Sequence, residues 1–337
     1  MVGTAKPVSE AGSLAKYDRK ELINYHSQML LIRRFEEKVN EAYTQAKIGG
    51  YCHLNIGEEG SVVGSIASLA PGDYIFTSYR EHGHALARGM NPNNVMAELF
   101  GKADGVAHGR GGSMHMVDTA LHFLGGWGIV GGHLPVAVGA AQAIKYRGGN
   151  DVAVCFLGEG ATNIGAFHES LNAAALWKLP VVFIVVNNGY EMGTAVDKAT
   201  SEPEQYKKAA PYRIPSERVD GMDVLAVREA VGRWVEKARK DQYPAFVELV
   251  SYRFRGHSVI DPARYRTEDE VNMWKERDPL FTFRQKLIDA KILTQADVDA
   301  AEKATEAIVD EAVAFADASP FPDLSTLYDN LYGEGSN

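Results

Sequence analysis

The 337-residue chain is 45% apolar and carries 35 Lys and Arg against 44 Asp and Glu, a formal net charge of −9. This composition supports a sizeable core and argues against a disordered chain or a general nucleic-acid surface, so any anionic ligand must meet a local cluster of cations. Two cysteines give no disulfide framework, and no apolar stretch approaches the roughly 18 residues of a membrane span, which fits a reducing, cytoplasmic compartment, or a mitochondrial matrix in a eukaryote. Residues 1–17 offer little to bury and read as a mobile tail, leaving 18–337 as one α/β domain.

Asp18, followed by Glu21, makes a capping-box pattern that opens a helix through Leu22, Met29, Leu30, Phe35 and Val39, ending near Gly49. YCHLNIGEEG, with His53 and Glu58, then leads into a small-residue helix over 61–69. Residues 73–78 (DYIFTS) read as a strand, which places Tyr79, Arg80, Glu81, His82 and His84 at its carboxyl end, the ligand edge of an α/β sheet. On position alone Arg80 reads as a surface ion pair and the histidines as satisfied polar groups, with His82 also a candidate for proton transfer.

GVAHGRGGSMHM, residues 105–116, has no metal-ligand spacing and reads as a tight loop that shapes a site. Gly126, Gly128 and Gly131 form a GxGxxG pattern opening a helix over 134–146. The residues before Gly126 make a poor strand, however, and Asp151 begins a strand instead of ending one, so a nicotinamide site is the weaker reading.

The most informative stretch spans 151–188. DVAVCFL and VVFIVV are near-continuous apolar runs of the kind found in strands buried on both faces. Between them Ala166, Leu171, Ala174, Ala175 and Leu176 recur at helical spacing, and Pro180 bars continuation. A right-handed βαβ crossover brings both carboxyl ends to one edge, roughly 4.8 Å apart if the strands are adjacent, so Glu159 and Asn188 become neighbours. Their hard oxygens suit Mg²⁺ shared with phosphate, and the glycines around Glu159 admit a diphosphate at the start of the following helix.

After Asn188 the chain is polar and turn-rich to about Glu217 and reads as a mobile loop. A helix over 224–238 and a strand over 245–251 follow. The strand delivers Arg253, Arg255, His257, Arg264 and Arg266, a cationic cluster suited to an anion, in which Arg264 and Arg266 read as partners of the acidic run beyond them. Ser258 reads as an unmodified loop serine. The remainder is helical by pattern, capped at Thr294 and Asp297, and shows no chemistry.

GEGATNIGAFHESLNAAALWKLPVVFIVVNN, with YREHGHALARG, GRGGSMHM and RFRGHS, resembles the alpha-subunit family of the thiamin diphosphate-dependent decarboxylating component of 2-oxo acid dehydrogenase complexes, of the pyruvate or acetoin dehydrogenase type. The resemblance covers about 20–335 and implies the thiamin diphosphate-binding α/β fold, with a mainly parallel sheet and helices on both faces. It implies oxidative decarboxylation of a 2-oxo acid, with acyl transfer to a lipoyl-bearing acyltransferase. The partner would be a beta subunit in a heterotetramer of two chains of each kind.

Carried over residue by residue, the resemblance assigns Glu159, Asn188 and the Tyr190 carbonyl to Mg²⁺. It assigns Tyr79, Arg80, Arg253 and His257 to the cofactor diphosphate, with His53, Gly160, Ala161 and Asn188 beside them. Gly128 and Val130 would meet the aminopyrimidine through their backbone, and His257 is the leading acid/base group. Glu159 stands where the family usually carries Asp. Branched-chain 2-oxo acids are an alternative substrate; a nicotinamide dehydrogenase and a non-catalytic scaffold are alternatives of other kinds.

Overall fold

The computed structural model describes residues 13–329 and 331. The apolar runs become inner strands of a six-stranded parallel sheet: β1 (Tyr74–Ser78), β2 (Phe123–Trp127), β3 (Ala153–Gly158), β4 (Val181–Asn187), β7 (Ser216–Asp220) and β8 (Ala245–Val250), in the order β2-β1-β3-β4-β8-β7. A two-residue hairpin, β5 (Tyr190–Glu191) and β6 (Thr194–Ala195), lies outside it. β3 and β4 are immediate neighbours, with Gly158 opposite Val186, so the expected βαβ unit is present.

Side chains alternate across the strands, which divides the core in two. Ile75, Val154, Phe156, Val182, Ile184, Val247 and Leu249 face one cluster, and Cys155, Leu157, Phe183 and Val185 face the other. Each fully buried side chain of this size contributes about 1.5–3 kcal/mol. The first cluster is deep. It gathers α1 (Arg19–Thr44), α2 (Glu59–Ile66), α3 (His82–Arg88), α4 (Pro92–Leu99), α8 (Val224–Asp241), α10 (Pro279–Asp289) and α11 (Gln295–Ala318). The second is thin, covered by α5 (Leu134–Tyr146), α6 (Gly165–Trp177) and a 3-10 segment at Gln205–Tyr212. Val136, Tyr146, Leu176 and Trp177 are exposed on its outer side.

Local signals explain the ends. Asp18 and Glu21 form a reciprocal capping box, as do Thr294 and Asp297, and Asp223 accepts from the N–H groups of Leu225 and Ala226 to cap α8. Two short helices, α7 (Val196–Ala199) and α9 (Glu268–Lys275), complete the set.

Several expectations are corrected. The poor strand before Gly126 is β2, an edge strand on β1 that accommodates Gly125 and Gly126. Residues 216–220 form a second edge strand, β7, which begins at the end of the expected loop, at Ser216 and Glu217, and was not anticipated. The stretch after Asn188 is ordered by buried polar contacts: Thr162 Oγ1 donates to Gln205 Oε1 at 2.7 Å, and the Tyr206 N–H to Glu248 at 3.0 Å. Residues 13–17 also pack, with Lys16 on Glu229 at 2.5 Å and Tyr17 edge-on to Tyr25. The rest of the expected tail, 1–12, lies outside the described residues.

Candidate active site

The chain leaves β1 into α3 on the deep face and leaves β3 into α6 on the thin face. That divergence opens a crevice at the carboxyl edge, the place where open parallel sheets take ligands. Five strand ends deliver residues to this edge: Tyr79 and Arg80 after β1, Gly128 after β2, Glu159 after β3, Asn188 after β4 and Arg253 after β8.

A cavity of about 690 Å³ opens there, walled by His53, Tyr79, Gly128, His257, Tyr51 and Tyr265 among others. His53 is the hub of an aromatic cluster, with ring centres 4.5 Å from Tyr79 and 5.0 Å from His257. Two buried guanidinium groups are bonded to that wall. Arg80 donates to the carbonyls of Leu54 and His257, both at 2.7 Å. Arg253 donates to the Tyr265 hydroxyl at 2.9 Å, the Met192 carbonyl at 3.1 Å and Asn188 Oδ1 at 3.4 Å. Of these two buried cations, Arg80 has one carboxylate within ion-pair range, Glu58 at 3.9 Å, and Arg253 has none among the described residues, which leaves a local positive field suited to an anion.

That field acts on the histidines. Burial, reinforced by Arg80 and Arg253 and opposed by Asp261, pushes His257 down to about 4; burial and Arg80 push His53 to about 2. Both rings are therefore neutral near pH 7. Replacing Arg253 with Met is expected to raise the His257 midpoint, because the imidazolium then loses a repelling neighbour. An NMR titration of its ring proton reads this directly; an unchanged midpoint would leave the shift to burial and Arg80.

Glu159 opens the 3-10 turn after β3, is 4% exposed, and has a buried Oε1 with no partner. Burial raises its carboxyl to about 7, against the pull of the Glu159 and Asn188 backbone N–H groups and Arg253. Glu58 accepts from Asn188 Nδ2 at 2.8 Å, which turns Asn188 Oδ1 toward Arg253. An orphaned buried carboxylate oxygen beside an oriented amide oxygen and the Tyr190 backbone is a hard-oxygen donor set that fits Mg²⁺. A Cβ at Gly160 would lie 2.6 Å from Glu191 Cγ, so that glycine leaves room for the Glu191 side chain. Ala161 is buried beside it.

Some expected residues are placed differently. His82 is fully buried, with Nδ1 3.0 Å from Glu36 Oε2 and Nε2 2.8 Å from Ser113 Oγ, so neither nitrogen is open to a reacting group. His84 is buried against Phe156. Val130, whose expected contact is through its backbone, carries an exposed side chain, as does Ile129 at 77%, on the loop that follows Gly128. Arg266 does not pair with the acidic run; its guanidinium caps the carbonyls of Arg253 and Arg255 and clasps the loop. The GxGxxG does join a strand to a helix, but at Gly126 a Cβ would fall on the buried Glu81 carboxyl, so that glycine serves packing.

Sequence reasoning missed the acids that hold these loops. Glu98 of α4 accepts four backbone N–H groups, from Ala107, Gly109, Gly111 and Gly112, at 2.8–2.9 Å, and so folds the glycine-rich loop around one buried carboxylate. Glu248 accepts from Asn187 and Tyr206, and Asp261 from the His257 and Ala263 N–H groups and the Tyr265 hydroxyl. Glu98→Ala is expected to cost about 3 kcal/mol or more, because four donors lose their acceptor. Urea unfolding measures the loss, and amide exchange should accelerate over 105–112; unchanged exchange there would contradict the assignment.

The described residues contain no cluster of three or more His, Cys, Asp or Glu placed to hold a metal. The family model described as "Dehydrogenase E1 component" matches residues 27–325. The chain is 44% identical over 331 residues to the "Pyruvate dehydrogenase E1 component subunit alpha" of Rhizobium meliloti, covering 97% of this chain and 95% of the relative. It is 45% identical to the Zymomonas mobilis protein of that name, covering 93% and 89%. It is 41% identical to the "Pyruvate dehydrogenase E1 component subunit alpha-3, chloroplastic" of Oryza sativa, covering 98% and 80%.

Proposed function

The chain belongs to the dehydrogenase E1 component family, and from that premise we propose that it is the alpha subunit of a pyruvate dehydrogenase-type complex. The reaction is thiamin diphosphate-dependent oxidative decarboxylation of a 2-oxo acid, with the acyl group passed to a lipoyl-bearing acyltransferase. The observation that carries the reading is the convergence of Arg80, Arg253 and the unpartnered Glu159 oxygen at one sheet edge.

Thiamin diphosphate, when bound, supplies the electron sink that lets a 2-oxo acid lose carbon dioxide. This chain's residues bind and orient. Arg80 and Arg253 would neutralise the diphosphate, and Glu159, Asn188 and the Tyr190 carbonyl would hold Mg²⁺. His53, Tyr79 and His257 wall the cavity, and neutral His257 is able to accept a proton. The backbone of Gly128 and Val130 would hold the aminopyrimidine ring.

A beta subunit completes the site. The thin face and the Gly128 loop expose Ile129, Val130, Val136, Leu176 and Trp177, an apolar surface of the kind that a partner covers. No described helix is long and apolar enough to cross a membrane. Acetoin and branched-chain 2-oxo acids are the rival substrates, and the pyruvate dehydrogenase relatives favour pyruvate. A panel of the three substrate classes on the reconstituted complex tests the choice. Highest turnover is expected with pyruvate; turnover of acetoin alone would reassign the chain within the family.

A further inference from the structure

The loop from Phe254 to Thr267 is a partition. Ser258 and Asp261 help wall the cofactor cavity, and both also wall a second cleft of about 430 Å³ on the other side, against Asn40 of α1 and Lys275 of α9. A third cleft of about 540 Å³ adjoins that one, between α1 and α10, and the two share Phe254, Arg255 and Lys275.

The charges in these rear clefts are unevenly matched. Asp278 is clamped by Arg33 at 2.8 Å and Glu37 by Arg34 at 2.7 Å. Arg277, Arg284 and Lys286 nearby each have a carboxylate as well. Asp261 is taken up by the His257 and Ala263 N–H groups, and the Arg266 guanidinium by two carbonyls. Among the described residues, Arg255 and Lys275 have no carboxylate within the 4.0 Å of an ion pair, although both side chains are exposed at the shared wall. Glu268 also lines the larger group of residues, but it sits in the first turn of α9 while Lys275 ends it, about 10 Å away along the axis.

We propose that Arg255 and Lys275 form a second anion site, on the rear of this loop, that binds a small phosphate-bearing molecule. It goes beyond the proposed function, since neither residue walls the cofactor cavity. A guanidinium offers a planar fork of donors and an ammonium a mobile point charge, a combination suited to phosphate oxygens. The site is mechanically joined to the front of the loop. Arg253 Nε donates to the Arg255 carbonyl at 3.2 Å, and Arg266 clasps the carbonyls of both residues, so a ligand on Arg255 holds the backbone that carries Arg253.

Inorganic phosphate is the probe, titrated by calorimetry at constant ionic strength into the reconstituted complex saturated with thiamin diphosphate and Mg²⁺. Saturation keeps phosphate from Arg80 and Arg253, and cofactor occupancy is measured separately in the same samples. Saturable binding is expected, weakened at least tenfold in Arg255→Ala/Lys275→Ala and unchanged in Lys286→Ala, which removes a paired surface cation. Absence of saturable binding, or equal binding by the double variant, would overturn the site.

Discussion

Glu159→Ala is expected to abolish Mg²⁺-dependent cofactor binding, with affinity falling by more than about 100-fold, whereas Glu159→Asp is expected to keep it or improve it. Even the outer partners of metal ligands change affinity by about 10–100-fold, and a direct ligand is expected to do more. The carboxylate is buried with one oxygen unpartnered, and burial holds its proton on up to about 7. Ionised without a counter-charge it is unfavourable in that place; a divalent cation supplies the missing charge and the missing partner. Asp, the usual residue of the family, keeps the charge and shortens the reach by one methylene. Titration of thiamin diphosphate in the presence and absence of Mg²⁺ measures the effect. Undiminished Mg²⁺-dependent binding by Glu159→Ala would remove Glu159 from the metal site.

The residues alone made the centre of the fold legible, because β3 and β4 are buried on both faces and therefore written as unbroken apolar runs. Their adjacency places Glu159 and Asn188 together without any knowledge of relatives. The edges were not legible for the same physical reason. β7 is Ser-Glu-Arg-Val-Asp, a strand held by β8 on one side only, and β2 carries two glycines that give no side-chain pattern. Order after Asn188 was also hidden. It rests on single buried polar contacts such as Gln205 with Thr162, which leave no periodic trace. Glu98 and Asp261 were missed likewise, since one acid that gathers several backbone N–H groups looks like any other acid in a sequence. Arg266 was assigned to the wrong partner because sequence proximity to acids says nothing about carbonyls that a folded loop turns toward it. The individual cofactor contacts, by contrast, came from family resemblance and not from spacing.

The chain is expected to be inactive alone. Catalysis with this cofactor needs a second carboxylate pressed on the aminopyrimidine, and the cavity wall offers none that is free among the described residues. Asp261, its one wall carboxylate, is held by the His257 and Ala263 N–H groups and the Tyr265 hydroxyl. Glu58 is engaged by both Asn188 and Asn55. Glu81 is fully buried, and burial raises its carboxyl well above the usual range. The missing carboxylate would therefore come from a second active-site half on a partner chain. The exposed Ile129 and Val130 beside Gly128 mark the side from which that half would come. Two such pairs about a two-fold axis would follow the common symmetry of oligomers. The deciding measurement is 2-oxo acid-dependent dye reduction by the purified chain, with and without the beta subunit, at matched thiamin diphosphate and Mg²⁺. Little turnover alone and restoration on adding the beta subunit are predicted; full turnover by the isolated chain would contradict the half-site assignment.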